Sequence, residues 1–253
     1  MTIDSHAHLE MDTFNDDRNA VIKRAKEAGI TGIITIGVTL ADSEKGVYIA
    51  GLYDIVYASV GVHPHEVKDI GADTYDRLRA LARRGKVVAI GEIGLDFYYN
   101  HSPKDLQFRH FADQLDLAAE LDLPVIIHDR EAHLETFEFL WYRKGRLRGV
   151  LHCFSGDLKM AKNCVDLGFT ISIAGPITYK NSEQLQEVAK EMPLETLLIE
   201  TDAPYLAPQP WRGKRNEPAY VIETARRVAE VRGITAGEVE VATGMNARRL
   251  FGL

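Results

Sequence analysis

Short runs dense in Val, Ile and Leu recur eight times along this chain, at residues 2–4, 32–36, 55–60, 86–90, 124–127, 150–151, 169–173 and 196–199. Several are nearly continuous in apolar residues, the pattern of parallel strands buried on both faces. Amphipathic segments between them predict helices over 15–28, 73–84, 103–121, 131–143, 158–167, 182–191 and 218–232, with a last one over 238–250. Gly29 and Gly85 stand where a left-handed glycine ends a helix. Ser102, Pro103 and Asp105 fit the N-cap, N1 and N3 positions of the segment they open. Eight strands alternating with helices over 253 residues predict a (β/α)8 TIM-type barrel with its active site at the C-terminal ends of the strands. An open doubly wound sheet is the competing architecture. It normally carries a Gly-rich phosphate turn after its first strand, and here that strand ends in His6-Ala7-His8.

No low-complexity stretch, long linker or compositional break divides the chain, so a single domain over residues 1–253 is expected. The formal charge is −7, from 30 Lys plus Arg against 37 Asp plus Glu. That balance argues against a protein held on nucleic acid by bulk charge, while leaving room for a locally positive cleft. Cys153 and Cys164 have no metal-type spacing, and a reduced cytoplasmic protein is the natural expectation. No signal peptide and no run of about 18 apolar residues is seen, so no membrane span is expected.

The polar residues that end the apolar runs carry the chemistry. On a strand, side chains alternate faces, so His6 and His8 point the same way with Cα atoms roughly 6.5–7 Å apart. A helix would turn them about 200° apart. Alone, the pair could be two ordinary polar residues near a terminus. Further along, however, apolar runs lead into Glu92, His128, His152 and Asp202. In a barrel such strand ends meet on one face. Four His and two carboxylates there could satisfy two divalent ions, with Glu92 able to bridge them.

His6-Ala-His8, Gly61-Val-His63-Pro-His65, Gly91-Glu-Ile-Gly-Leu-Asp96, Ile127-His-Asp-Arg130, His152-Cys-Phe-Ser-Gly156 and Glu200-Thr-Asp-Ala-Pro-Tyr205 resemble the TatD family of metal-dependent deoxyribonucleases. The resemblance runs the length of the chain. It implies a TIM-type barrel, a two-metal site and hydrolysis of DNA phosphodiesters. By the same resemblance, His6, His8, Glu92 and Asp202 would hold one metal and Glu92, His128 and His152 the other. Related amidohydrolase barrels bridge their metals with a carbamylated lysine; here Glu92 occupies that strand end, and Lys86 lies at the opposite one.

Two divalent ions with two carboxylates leave a net +2, which hydroxide and a phosphate oxygen can complement. Such ions acidify a bound water and stabilise charge on phosphoryl oxygens. Asp202 is the candidate to orient and deprotonate that water. The His-rich set suits Zn²⁺, Mn²⁺, Co²⁺ or Ni²⁺, whereas Mg²⁺ prefers oxygen ligands. His63 is expected to contact the scissile phosphate, with His65 and Arg130 as further substrate contacts. Arg212, Lys214 and Arg215 offer a basic patch in a loop after the last strand. Phe97, Tyr98, Tyr99 and Trp211 could stack bases or pack locally. Asp4 and Glu200 share strand parity with His6 and Asp202, so they should support the ligands from one step deeper. Cys153 should face away and pack. The expected activity is nuclease action on DNA, from an end. Hydrolysis of a small phosphoester or an aminoacyl-tRNA ester is the alternative, a non-catalytic metal-binding barrel a third. No obligate protein partner is inferred.

Overall fold

The computed structural model describes residues 1–253. Its strands are β1 Thr2–Ala7, β2 Ile30–Thr35, β3 Val56–Val60, β4 Val87–Asp96, β5 Val125–Arg130, β6 Gly149–Leu151, β7 Phe169–Ile173 and β8 Leu197–Ile199. They pair in sequence order, all parallel, in one eight-stranded sheet. Closure happens just past β8. Ala7 bridges Ala203, the His8 amide donates to the Ala203 carbonyl at 2.7 Å, and the Asp202 amide donates to the His6 carbonyl at 2.9 Å. The expected (β/α)8 barrel is the fold. No helix is long and apolar enough to cross a membrane.

Helices alternate with the strands: α1 Arg18–Glu27, α2 Leu40–Leu52, α3 Thr74–Ala82, α4 Lys104–Leu121, α5 His133–Trp141, α6 Leu158–Asp166, α7 Glu183–Glu191, α8 Val221–Arg232 and α9 Ala236–Phe251. The strands are buried along nearly their whole length because one face packs on helices and the other fills the barrel. Ile3, Ile34, Val88, Ile126, Val150 and Leu198 form an interior cluster, and Ala247, Leu250 and Phe251 of α9 pack onto it from below. A reciprocal Thr235–Glu238 capping box starts α9, a device that contributes about 1 kcal/mol. Asn246 then donates to the Leu194 and Leu197 carbonyls at 2.8 Å each, fixing the start of β8. One end of the barrel is therefore sealed by packing, and the polar residues collect at the other.

Four departures from the sequence expectations bear on the site. The sequence pattern does not predict the second helix: α2 contains Gly46 and Gly51, which weaken a helical pattern, yet Thr39 caps it by accepting the Asp42 amide. Ser102 does not cap α4; its hydroxyl donates to the His65 carbonyl at 2.7 Å and pins the loop after β3. β4 runs six residues past its expected end, so Glu92 lies within a strand and Asp96 ends it. Finally, β1 and β4 each carry one extra residue against a neighbour, between Asp4 and Ala7 and between Ile90 and Ile93. Such bulges flip side-chain parity and re-aim the rest of the strand. Gly94, at φ +146°, lies on this stretch of β4, and a Cβ there would fall onto the His128 carbonyl oxygen.

Candidate metal centre

The bulge in β1 aims His6 and His8 at the mouth of the barrel. Their Nε2 atoms lie 3.3 Å apart. Asp202 Oδ1 sits 3.6 Å from His6 Nε2 and 3.4 Å from His8 Nε2, and Glu92 Oε2 sits 3.5 and 4.0 Å from the same nitrogens. Two ligands of a tetrahedral ion with bonds of roughly 2.1 Å are separated by about 3.4 Å. His6, His8 and Glu92 are close enough together to hold one ion, and so are His6, His152 and Asp202. Asp202 holds φ +57°, a left-handed conformation that Asp tolerates better than most residues.

The second group gathers on the other oxygen of Glu92. Glu92 Oε1 lies 2.8 Å from His128 Nδ1 and 2.7 Å from His152 Nε2, and those nitrogens are 3.4 Å apart. Glu92 therefore turns one oxygen to each histidine pair, the arrangement a bridging carboxylate adopts. His6 and His152 stack face to face between the groups, with ring centroids 3.9 Å apart.

Behind three of these histidines stands a carboxylate. Glu10 Oε1 is 3.1 Å from His8 Nδ1, Asp96 Oδ2 is 3.0 Å from His128 Nε2, and Glu200 Oε1 is 3.2 Å from His152 Nδ1. Each outer nitrogen is thus placed to donate its proton, which leaves the inner lone pair aimed at the centre, as metal-binding histidines require. The residues present fit a metal centre on this ground. The sequence reading missed Glu10 and Asp96. Their signal was available in the alternation His6, His8, Glu10 and Glu92, Gly94, Asp96. Asp4, by contrast, supports the ligands through the backbone, accepting from the His6 amide (3.4 Å) and from the Thr201 amide (2.9 Å) and hydroxyl (2.6 Å), and so holds the turn that presents Asp202.

Burial opposes ionisation of Glu92, but the His152, His63 and His128 imidazoles overcome it and hold the carboxyl well below its usual range. His8 and His152 are also desolvated, yet Glu10 and Asp202 raise the first, and Glu92 and Glu200 the second, well above the ordinary imidazole value. Without a cation the cluster thus binds protons where an ion would sit.

His63 is different. Its Nδ1 accepts the His65 amide at 3.1 Å, so in the neutral ring the proton is on Nε2. Burial draws its pKa down to about 4, and Nε2 lies 3.5 Å from Glu92 Oε1. His63 therefore presents an N–H to the centre, although its position also groups it with Glu92 and His128.

His65 donates toward Asp96 Oδ2 at 2.9 Å and lines the same cleft of about 810 Å³. Arg130 reaches this cleft too, its guanidinium over Tyr98 (4.3 Å) and Tyr99 (4.8 Å). Arg212 and Arg215 do not line it. Arg215 is bound to both oxygens of Asp17 and to the Thr13 carbonyl, so it braces α1. Arg212 lies over Tyr179 at 4.4 Å. Trp211 stacks on Tyr220 and Phe97 packs under Lys104, so of the aromatics suggested for stacking bases only Tyr99 lines the cleft. Cys153 is half-buried beside the centre instead of packed away from it. Burial, reinforced by Asp202, Glu200 and Glu92, pushes its thiol well up.

A parallel barrel whose C-terminal rim gathers carboxylate-backed histidines around a shared glutamate defines a metal-dependent hydrolase. Residues 3–252 match the family described as TatD related DNase, and the chain belongs to that family. It is 40% identical over 252 residues to the uncharacterized metal-dependent hydrolase YabD of Bacillus subtilis, covering 99% of both chains. It is also 40% identical over 258 residues to the 3'-5' ssDNA/RNA exonuclease TatD of Erwinia tasmaniensis, again covering 99% of each. The crystal structure of YJJV, a TatD homologue from Escherichia coli, superposes with a TM-score of 0.93 at 32% identity, covering 100% of this chain and 98% of that one.

Proposed function

We propose that this hydrolase cleaves phosphodiester bonds in single-stranded DNA, working from an end. The observation that carries the reading is the divided carboxylate of Glu92, one oxygen facing His6 and His8, the other His128 and His152. His6, His8, Glu92 and Asp202 would hold one divalent cation and Glu92, His128 and His152 a second; imidazole-rich donors suit Zn²⁺, Mn²⁺, Co²⁺ or Ni²⁺. When bound, such ions acidify water and draw charge from phosphoryl oxygens. The exonuclease named for the Erwinia relative supports a nucleic-acid substrate.

The chain's own groups divide the remaining work. Asp202 would accept the proton of the attacking water; its backbone amide donates to the His6 carbonyl, which supports this role by fixing the turn that carries the carboxylate. His63 would donate its Nε2 proton as a hydrogen bond to a nonbridging phosphate oxygen. Arg130, held close to the rings of Tyr98 and Tyr99 and free of any carboxylate partner, would supply a positive charge at the cleft mouth. The test is an assay of the metal-loaded protein on end-labelled single-stranded DNA beside a panel of small phosphoesters and aminoacyl esters. Stepwise shortening of the DNA is the expected result. Turnover of esters alone would replace the nuclease reading with that of an esterase.

A further inference from the structure

Directly after His152 the backbone turns through Cys153, at φ +42° with its amide held by Glu200 Oε1 at 2.7 Å. The next residues form one wall of a second hollow of about 360 Å³, beside the cleft. Phe154 contributes from this side. Ala174, Pro176 and Tyr179, from the segment between β7 and α7, line it too, together with the amides of Asn181 and Gln184. Gln184 gives its Nε2 to the Ser155 carbonyl at 3.2 Å, which leaves its amide oxygen free to accept. The Asn181 side chain is exposed. A lining of apolar side chains that also carries two amides suits a flat heteroaromatic ring with polar atoms on its rim.

Charge around the barrel mouth points the same way. On the β1–β3 side the cleft is lined by Asp12, Asp42 and Glu66, and the cation among them, Lys45, is spent on Asp12 at 2.7 Å. Beside the second hollow, Tyr179 is fixed by its hydroxyl on the Ala207 carbonyl (3.0 Å) and carries the Arg212 guanidinium. Arg212 forms no ion pair, and neither do Lys180, Lys214 or Arg130. Glu183 beside Lys180 is also unpaired, but the three free cations Lys180, Arg212 and Lys214 outnumber it and make this side the more attractive to a polyanion.

We propose that this hollow is a nucleoside subsite. It takes the base next to the scissile phosphate, the amides of Asn181 and Gln184 meet the base edge, and Arg212 meets the following phosphate. The proposal rests on the nuclease reading and adds to it a direction for the strand, out across the β6–β8 loops.

Asn181→Ala and Arg212→Ala alter exposed side chains and should fold. Each is compared with wild type, metal-loaded, on oligo(dT) and on methyl p-nitrophenyl phosphate, a diester with no nucleoside. The expected result is a KM for oligo(dT) raised about tenfold, in the range of single base or phosphate contacts, with kcat and turnover of the small diester within about twofold of wild type. Binding of thymidine 5′-monophosphate, followed by chemical-shift perturbation, should weaken in parallel. Equal loss on both substrates would mean a disturbed metal centre, and no change on either would mean an unused hollow. Each of these overturns the subsite alone. If wild-type protein turns over the small diester but no DNA, the nuclease reading falls and the subsite with it.

Discussion

The two halves of the centre share Glu92 but are built differently. His128 and His152 come from β5 and from the end of β6, and each is backed by a buried carboxylate, Asp96 or Glu200. In the other half only His8 has such a backing, from Glu10, whose second oxygen is held by Thr35 at 2.7 Å. The Nδ1 of His6 is buried with no partner, and Asp202 sits three residues beyond β8 in a left-handed turn. One half has a carboxylate behind each of its histidines, and the other depends on the turn that carries Asp202. We therefore expect the His6–His8–Asp202 half to release its cation first, and the braced half to keep its own.

Graded chelation is the bluntest way to break this comparison. Turnover should vanish completely, in two steps of metal loss, while far-UV circular dichroism holds, because the apolar core lies below the rim. A single step with unfolding would show that both halves are structural. Glu92→Gln comes next. It should lower occupancy of both halves, whereas His128→Ala should empty mainly one, and elemental analysis of the two purified variants separates these outcomes. Two ions retained by Glu92→Gln would end the bridging assignment.

Asp202→Asn keeps one acceptor oxygen but loses proton acceptance. It should retain metal in the braced half, still bind DNA, and lose about 10²–10⁴-fold in turnover. Recovery at high metal concentration would reduce Asp202 to a ligand. Asp96→Asn and Glu10→Gln sharpen the contrast further. Each should weaken metal affinity in its own half, by roughly 10–100-fold. Asp96→Asn should also disturb His65 and the amides of Tyr98 and Tyr99, which bind its other oxygen at 3.0 and 2.8 Å. A metal titration that weakens the same site in both variants would contradict the division.

The smallest effect is on pH. Glu10 and Asp202 raise His8, and Glu92 and Glu200 raise His152, so without a cation both rings hold protons above the usual imidazole range. A cation must displace those protons. Affinity should therefore rise as pH rises through and above about 6.5, and fall below it. Calorimetry in buffers of different ionisation enthalpy should register proton release on loading; proton uptake would reverse the sign.

Much of this protein is legible in its sequence, and the reason is local. Strand and helix periods are written in consecutive residues, so the apolar runs and their intervening segments gave the barrel, and the residue types ending each run gave the six candidate ligands. Features that depend on contacts between distant segments were not legible. The bulge in β1 is defined only against β2, so parity alone could not show that Asp4 supports the ligands through the His6 amide and Thr201. Arg215 reads as a free cation until α1 brings Asp17 against it. Asp96 and Glu10 read as ordinary acids until the fold sets them behind histidines. The sequence by itself determined which groups would meet at the rim. Only the tertiary structure decided which of their atoms face inward, because a hydrogen bond from a residue far along the chain sets the tautomer, the ring orientation and the charge of each.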